Sequence, residues 1–166
     1  MKYKIKNLCE IVCGGTPSTS NPEYWGKDVV WLTPKDLSAN KSKYIYDSIN
    51  RISFKGLSNS SAKLVPEGTV LLSSRAPIGY LAIANTELCT NQGFKSLICN
   101  EKIINNEYMY YLLQSKVEEL QSISTGSTFL ELSTNTLKYY EINIHSLPEQ
   151  QHIVNILGSI DEKIEN

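Results

Sequence analysis

The chain has few of the residues on which metal sites and nucleophilic enzymes usually depend: two histidines and four cysteines in 166 residues. Cys9, Cys13, Cys89 and Cys99 show no C-x-x-C spacing, and only His145 and His152 could add nitrogen ligands, so no metal site is expected. Cys9 and Cys13 stand four apart, a spacing that puts both on one face of a helix. Free cysteine in a reducing compartment packs as a small buried hydrophobe, which is the role expected for them. No run of about 18 apolar residues occurs, and the opening Met1-Lys2-Tyr3-Lys4-Ile5-Lys6 lacks the apolar stretch of a secretory signal. The expected location is therefore the cytoplasm. There is no internal repeat of fixed period and no low-complexity tract.

Catalytic equipment is missing as well. Gly14-Gly15-Thr16-Pro17-Ser18 lacks the G-K-[S/T] ending of a phosphate-cradling loop, and no buried strand precedes it. Asn21-Pro22-Glu23-Tyr24 departs from the N-P-P-Y of amino-methyltransferases at its third residue, and no glycine-rich strand-helix turn is present to hold S-adenosylmethionine. The two histidines lie late in the chain with no Ser or Cys in a nucleophile setting. The expectation is a protein that is not an enzyme, with no catalytic residue and no cofactor of its own.

What is present suits a single folded domain: 41% of the residues are hydrophobic, enough for a core without disulfide or metal staples. The net charge of -1 conceals an asymmetry. Residues 1–75 carry eleven Lys and Arg against six Asp and Glu, and residues 76–166 carry five against eleven. That distribution permits a basic face; two differently composed solvated surfaces would give the same counts.

Periodicity predicts a short helix over 5–12, a Gly/Ser/Thr/Pro loop over 14–21, a buried strand over 29–33 and β character over 45–52, with a lysine-rich loop between them. A helix of one to two turns falls within 56–64, ended by Pro66, and strands over 69–73 and 80–84 make a hairpin with a polar tip. A strand over 94–99, a helix over 105–121, a hydroxyl-rich loop over 125–128 and a strand over 139–144 follow. Pro148 opens a final helix in which Ile153, Leu157, Ile160 and Ile164 repeat at four, three and four, the pattern of a coiled-coil seam. The fold class is α/β (α+β): one globular domain over 1–146 with a curved mixed or antiparallel sheet, then a coiled-coil-type helix over 147–166.

The loops between β elements are built from Ser, Thr, Asn, Gln, Lys and Arg, the side chains that contact phosphates and base edges. Arg75 has the fork to read guanine, and Asn91 or Gln92 the amide to read adenine. Each has a plainer alternative: Asn91 and Gly93 can simply form a turn, and Arg75 can pair with an acidic neighbour.

The segments G-G-T-P-S at 14–18, Y-W at 24–25, V-V-W-L at 29–32 and I-S-F-K-G-L at 52–57 come in a fixed order. They are followed by S-S-A-K-L-V-P-E-G-T-V-L at 60–71, S-S-R-A-P-I-G at 73–79, T-N-Q-G-F-K at 90–95, G-S-T at 126–128 and L-P-E-Q-Q at 147–151. As an ordered set, from about residue 8 to residue 164, they resemble the target-recognition domain of type I restriction-modification specificity subunits. The resemblance implies double-stranded DNA as a partner, one half of a bipartite site as the sequence read, and a methyltransferase subunit that is positioned by this chain and itself binds S-adenosylmethionine. A restriction subunit is implied in the larger complex. The ordinary subunit carries two recognition domains and two helices where this chain has one of each, so the resemblance is to a half-length form. A homodimer through Ile153, Leu157, Ile160 and Ile164 would supply the second reader. The expected reading surface is Ser73, Ser74 and Arg75, then Thr90, Asn91 and Gln92, then Thr125, Gly126, Ser127 and Thr128. Thr16, Ser18 and Lys35 are expected on the DNA backbone, and Ala76-Pro77-Ile78-Gly79 and Phe94 as scaffold. The competing expectation is a protein-protein adaptor acting through the final helix alone.

Overall fold

The computed structural model describes residues 1–126 and 128–165. Its strands are β1 (Lys2–Lys4), β2 (Cys9–Cys13), β3 (Trp25–Leu32), β4 (Tyr44–Ile45), β5 (Asn50–Ile52), β6 (Val70–Ser74), β7 (Ile78–Ala84), β8 (Cys89–Thr90), β9 (Phe94–Cys99) and β10 (Glu141–Asn143). Its helices are α1 (Pro34–Ala39), α2 (Phe54–Ser58), α3 (Asn106–Ser115), α4 (Val117–Ser122), α5 (Thr134–Tyr139) and α6 (Leu147–Glu165). Five strands form a mixed sheet in the order β2-β9-β6-β7-β4, a second sheet runs β5-β3-β8, and β1 pairs with β10.

The uninterrupted apolar run of β6 follows from its place at the centre of the large sheet, where both faces are covered. Val70 and Leu72 pack with Leu97, Met109 and Leu113 on the face that carries α3. Leu71 points the other way, to Phe94, Ala82 and Leu32. The mixed sheet with helices agrees with the fold expected from sequence.

Three local expectations are corrected. Residues 5–12 form a single 3-10 turn at Ile5–Asn7 followed by β2, because Ile11 and Val12 gain a full antiparallel ladder against β9, from Cys9↔Cys99 to Cys13↔Lys95. Cys9 is buried there with its Sγ 3.5 Å from that of Cys99, but Cys13 ends the strand exposed and is not a packing residue. The lysine-rich stretch contains α1: Pro34 occupies the first turn, and the buried Asp36 carboxylate accepts from the Thr33 amide at 2.8 Å, the Thr33 hydroxyl at 3.0 Å and the Ile49 amide at 2.8 Å. The helix expected over 105–121 is interrupted at Lys116, and the segment after residue 131 supplies α5, capped by the Ser133 hydroxyl on the Thr136 amide at 3.1 Å.

The last helix begins with a reciprocal cap. The Ser146 amide donates to the Glu149 carboxylate at 3.0 Å and the Glu149 amide to the Ser146 hydroxyl at 3.4 Å; the bond from the Ser146 amide first, and the Ser146 side chain second, hold the Glu149 carboxyl below the usual range. The first half of α6 belongs to the domain core. Val154 is buried, Ile153 and Leu157 pack on the same core, and the buried Gln150 amide donates to the Ile103 and His145 carbonyls at 3.1 and 2.8 Å while its oxygen accepts from the Asn105 amide. Further along, Lys43 bonds Glu107 at 2.7 Å and the Tyr111 hydroxyl at 3.1 Å, and that hydroxyl donates to Asp161. The expected seam is therefore split. Ile153 and Leu157 are engaged by the domain itself, whereas Ile160 is 48% and Ile164 77% exposed, joined on the outer face by Ile156 at 50%. No helix among the described residues is long and apolar enough to cross a membrane.

Candidate nucleic-acid interface

Four loops far apart in sequence are tied to one another at one end of the sheets by backbone hydrogen bonds. The Gly15 amide donates to the Thr90 carbonyl at 3.0 Å, the Asn91 amide to Leu32 at 2.9 Å, the Ser74 amide to Gly93 at 2.9 Å and the Leu132 amide to Ser74 at 2.9 Å. Arg75 and Thr125 both bridge to Glu131, which closes the loop over 125–131 onto the hairpin tip. Two indoles of β3 fix the glycine-rich loop: Trp31 Nε1 donates to the Gly15 carbonyl at 2.9 Å and Trp25 Nε1 to that of Ser18 at 3.1 Å. Their rings meet edge to face with centroids 5.0 Å apart. Because the strand ends hold these loops by main-chain bonds, those of their side chains that stay exposed remain available to a ligand.

Several expected readers are where such a role needs them. Ser18, Lys35, Gln92, Thr125, Gly126 and Thr128 are exposed, and Thr16, Arg75 and Asn91 are half-buried. Thr16 donates its hydroxyl to the Gln92 side-chain oxygen, so loops 14–18 and 90–93 present one joined polar surface. Ion pairs among the described residues use Lys2, Lys43, Arg51, Lys55 and Lys116; neither Arg75 nor Lys35 is among them. Among the described residues Arg75 is thus not half of an ion pair, although its backbone neighbour Glu131 is acidic. Ser127 lies outside the described residues.

Three expected readers are corrected. Ser73 and Ser74 are both 0% exposed and Thr90 is 2% exposed. The Ser73 hydroxyl shapes the hairpin, donating to the Pro77 carbonyl at 2.7 Å and accepting from the Tyr80 amide at 2.8 Å. Thr90 donates to the Asn91 carbonyl at 2.9 Å, and the Asn91 side-chain oxygen accepts from the Gly93 amide at 2.9 Å, so the turn expected as the alternative for Asn91 does form. A hydroxyl enclosed in this way cannot meet a base edge without the loop opening. Small polar residues flanked by apolar strands looked like surface in the sequence, yet these three are enclosed in the fold. Ile78 and Phe94 are buried as expected of scaffold, while Ala76 and Pro77 stand exposed at the tip.

Sequence reasoning passed over Phe129 and Leu130, 81% and 44% exposed on the loop beside Arg75. The available signal was an apolar pair directly after a Gly-Ser-Thr run with no alternating partner. Chemically the edge offers amide, hydroxyl and guanidinium donors with one exposed aromatic ring, a set suited to binding rather than bond-making. No group of three or more His, Cys, Asp or Glu among the described residues could hold a metal ion.

An α/β scaffold whose strand ends present a continuous row of polar loops, followed by one long helix, defines a recognition-type module. The chain belongs to the family of type I restriction modification DNA specificity domains, whose family model matches residues 1–166. It is similar to the type I restriction enzyme MjaIX specificity subunit of Methanocaldococcus jannaschii, 47% identical over 165 residues, which cover 98% of this chain and 38% of that protein. The fold is shared with a chain solved in work on complex assembly and conformational transition of the type I R-M system, with TM-score 0.78, 23% identity, and coverage of 99% of this chain and 39% of that one. It is also shared with the HsdS subunit of Thermoanaerobacter tengcongensis, with TM-score 0.73, 22% identity, and coverage of 99% and 38%. The chain thus spans a little over a third of the length of these relatives.

Proposed function

We propose that this chain reads one half of a bipartite double-stranded DNA site and, without catalysing any step itself, positions a methyltransferase subunit and with it a restriction subunit. Residues 1–146 do the reading and 147–166 the docking, S-adenosylmethionine being held by the methyltransferase. The observation that carries this reading is the gathering of loops 14–18, 74–77, 90–93 and 125–131 into one main-chain-bonded row beside Arg75 and Lys35, which join no ion pair among the described residues. Within that row Arg75 and Gln92 are the base readers, and Thr16, Ser18, Lys35, Thr125 and Thr128 serve the backbone. The outer face of α6, Ile156, Ile160 and Ile164, brings a second copy whose own loops read the other half-site.

The test is enrichment of random duplex DNA on the chain with its methyltransferase partner. Recovery of a split motif is the expected result; recovery of none while the partner still binds would leave the chain an adaptor working through α6. Arg75→Ala should weaken the recovered motif by about 1–3 kcal/mol and relax one base position. An equal loss on every sequence would move Arg75 to the phosphate contacts.

A further inference from the structure

Lys95 is the second residue of β9, at the end of the sheet that borders the loop row. It is 6% exposed, directly opposite Leu72 on one side and Cys13 on the other. Leu72 belongs to the core beneath α3, so the four-carbon stem of Lys95 runs along the same apolar face. Its ammonium takes part in none of the ion pairs among the described residues, which use Lys2, Lys43, Arg51, Lys55 and Lys116. Two residues beyond Leu72 on the same face lies Ser74, whose buried hydroxyl has no hydrogen-bond partner. A lysine with an enclosed stem, whose ammonium reaches the surface in no ion pair among the described residues, therefore lies next to an enclosed hydroxyl under the reading edge. For folding alone the charge is not needed, since an apolar side chain of the same length would fill the slot taken by the stem. An anion arriving from outside would pair with the ammonium.

We propose that Lys95 is a recessed contact for a phosphate group of the DNA backbone. This inference rests on the DNA-reading function proposed above. A stem held inside the sheet keeps the ammonium at the protein surface, out of reach of base edges within a groove, while a phosphate lying against the edge comes to it. A compact ammonium with three donors suits a single phosphate and lacks the planar fork that reads guanine. Lys95 then fixes the depth at which the duplex seats, so that Arg75 and Gln92 meet the groove in register.

The experiment compares the full-length wild-type chain with Lys95→Met on the enriched duplex and on an unrelated duplex, across about 50 to 200 mM salt. Expected is an equal loss on both duplexes, about fivefold near 0.15 M salt, with the log-log salt slope smaller by about 0.9. The melting temperature of the free variant should be unchanged or higher. An unchanged slope while wild type binds both duplexes would overturn the assignment and leave DNA reading intact, as would a loss confined to the enriched duplex. Wild type binding neither duplex would defeat the DNA reading itself. Inorganic phosphate that raises the melting temperature of wild type but not of the variant, with DNA binding equal in the two, would make this a free-phosphate site and also overturn the proposal. Should Lys95→Met not fold, the Lys95 ε-carbon signal of isotope-labelled wild type should shift on adding either duplex; a signal that stays put would overturn it equally.

Discussion

Replacing Gly14 with alanine tests whether the glycine-rich loop is held where the reading edge needs it. A Cβ at that position would lie 2.0 Å from the Asn91 carbonyl oxygen, 2.2 Å from Thr90 Oγ1 and 2.4 Å from the Thr90 carbonyl oxygen. Two of these are backbone atoms that cannot rotate aside, so relief requires loops 14–18 and 90–93 to separate by more than an ångström. That movement stretches the 3.0 Å bond from the Gly15 amide to the Thr90 carbonyl, a net loss of about 0.5–1.5 kcal/mol. Overpacking adds about 1–3 kcal/mol. Together the cost is about 2–4 kcal/mol, which a domain of ordinary stability survives, with a fall in melting temperature of roughly 4–16 °C for a chain of this size. Gly158 is the control. It sits within α6 with no atom within 4 Å of the position a Cβ would take, so Gly158→Ala should gain about 0.5–1 kcal/mol from helix propensity and melt slightly higher. Calorimetry reads both signs. DNA discrimination, measured well below the melting transition, should fall for Gly14→Ala, because the Thr16 to Gln92 contact is lost with the loop. The reasoning is refuted if Gly14→Ala melts and discriminates like wild type, or if Gly158→Ala loses as much stability as Gly14→Ala.

If α6 joins two copies as proposed, Ile160→Glu should weaken that association by placing a charge on its outer face while leaving monomer stability within about 0.5 kcal/mol, whereas Leu157→Glu should destabilise the domain itself. Sedimentation and thermal melting of the two variants separate these effects, and equal behaviour in both assays would contradict the split seam. In thiol labelling near pH 8, Cys13 should react first, since it is exposed, while Cys89, fully buried with its thiol pushed up to about 12 by that burial, should stay protected until the chain opens. Burial and the hydrogen bond to Cys99 also push the Cys9 thiol up, the bond being the larger cause, so mass spectrometry should find Cys9 labelled late; prompt labelling of Cys89 would sink the packing described for β8.

Much of the architecture was legible because local and long-range preferences agree. The hairpin of β6 and β7, the run of β9, and the start of α6 at a Ser-x-x-Glu cap all carry their own pattern. Where pairing across the chain decided the outcome, periodicity misled. Residues 5–12 have apolar spacing that fits a helix, but the edge of β9 offers Ile11 and Val12 a ladder that an isolated segment cannot reveal. The short helices α1 and α5 were missed because they are too brief for a periodic stripe, although Thr-Pro-x-Asp at 33–36 announces the first of them.

The candidate site was legible by loop and illegible by side chain, for a physical reason. Composition tells which segments cannot build a core, and three loops so chosen, over 14–18, 74–77 and 90–93, are tied together by main-chain bonds. It does not tell which members of a polar loop are consumed in making the loop. Ser73, Thr90 and Asn91 spend their hydrogen-bonding groups on Pro77, Tyr80, the Asn91 carbonyl and Gly93, and in doing so shape the turns that carry the half-buried Arg75 and the exposed Gln92. The row therefore has two layers: buried hydroxyls that set the backbone, and longer side chains that leave it. Conserving the inner layer while exchanging the outer one should alter which DNA is read without altering how the loops are held. Ser73→Ala combined with an intact Arg75 would do the reverse.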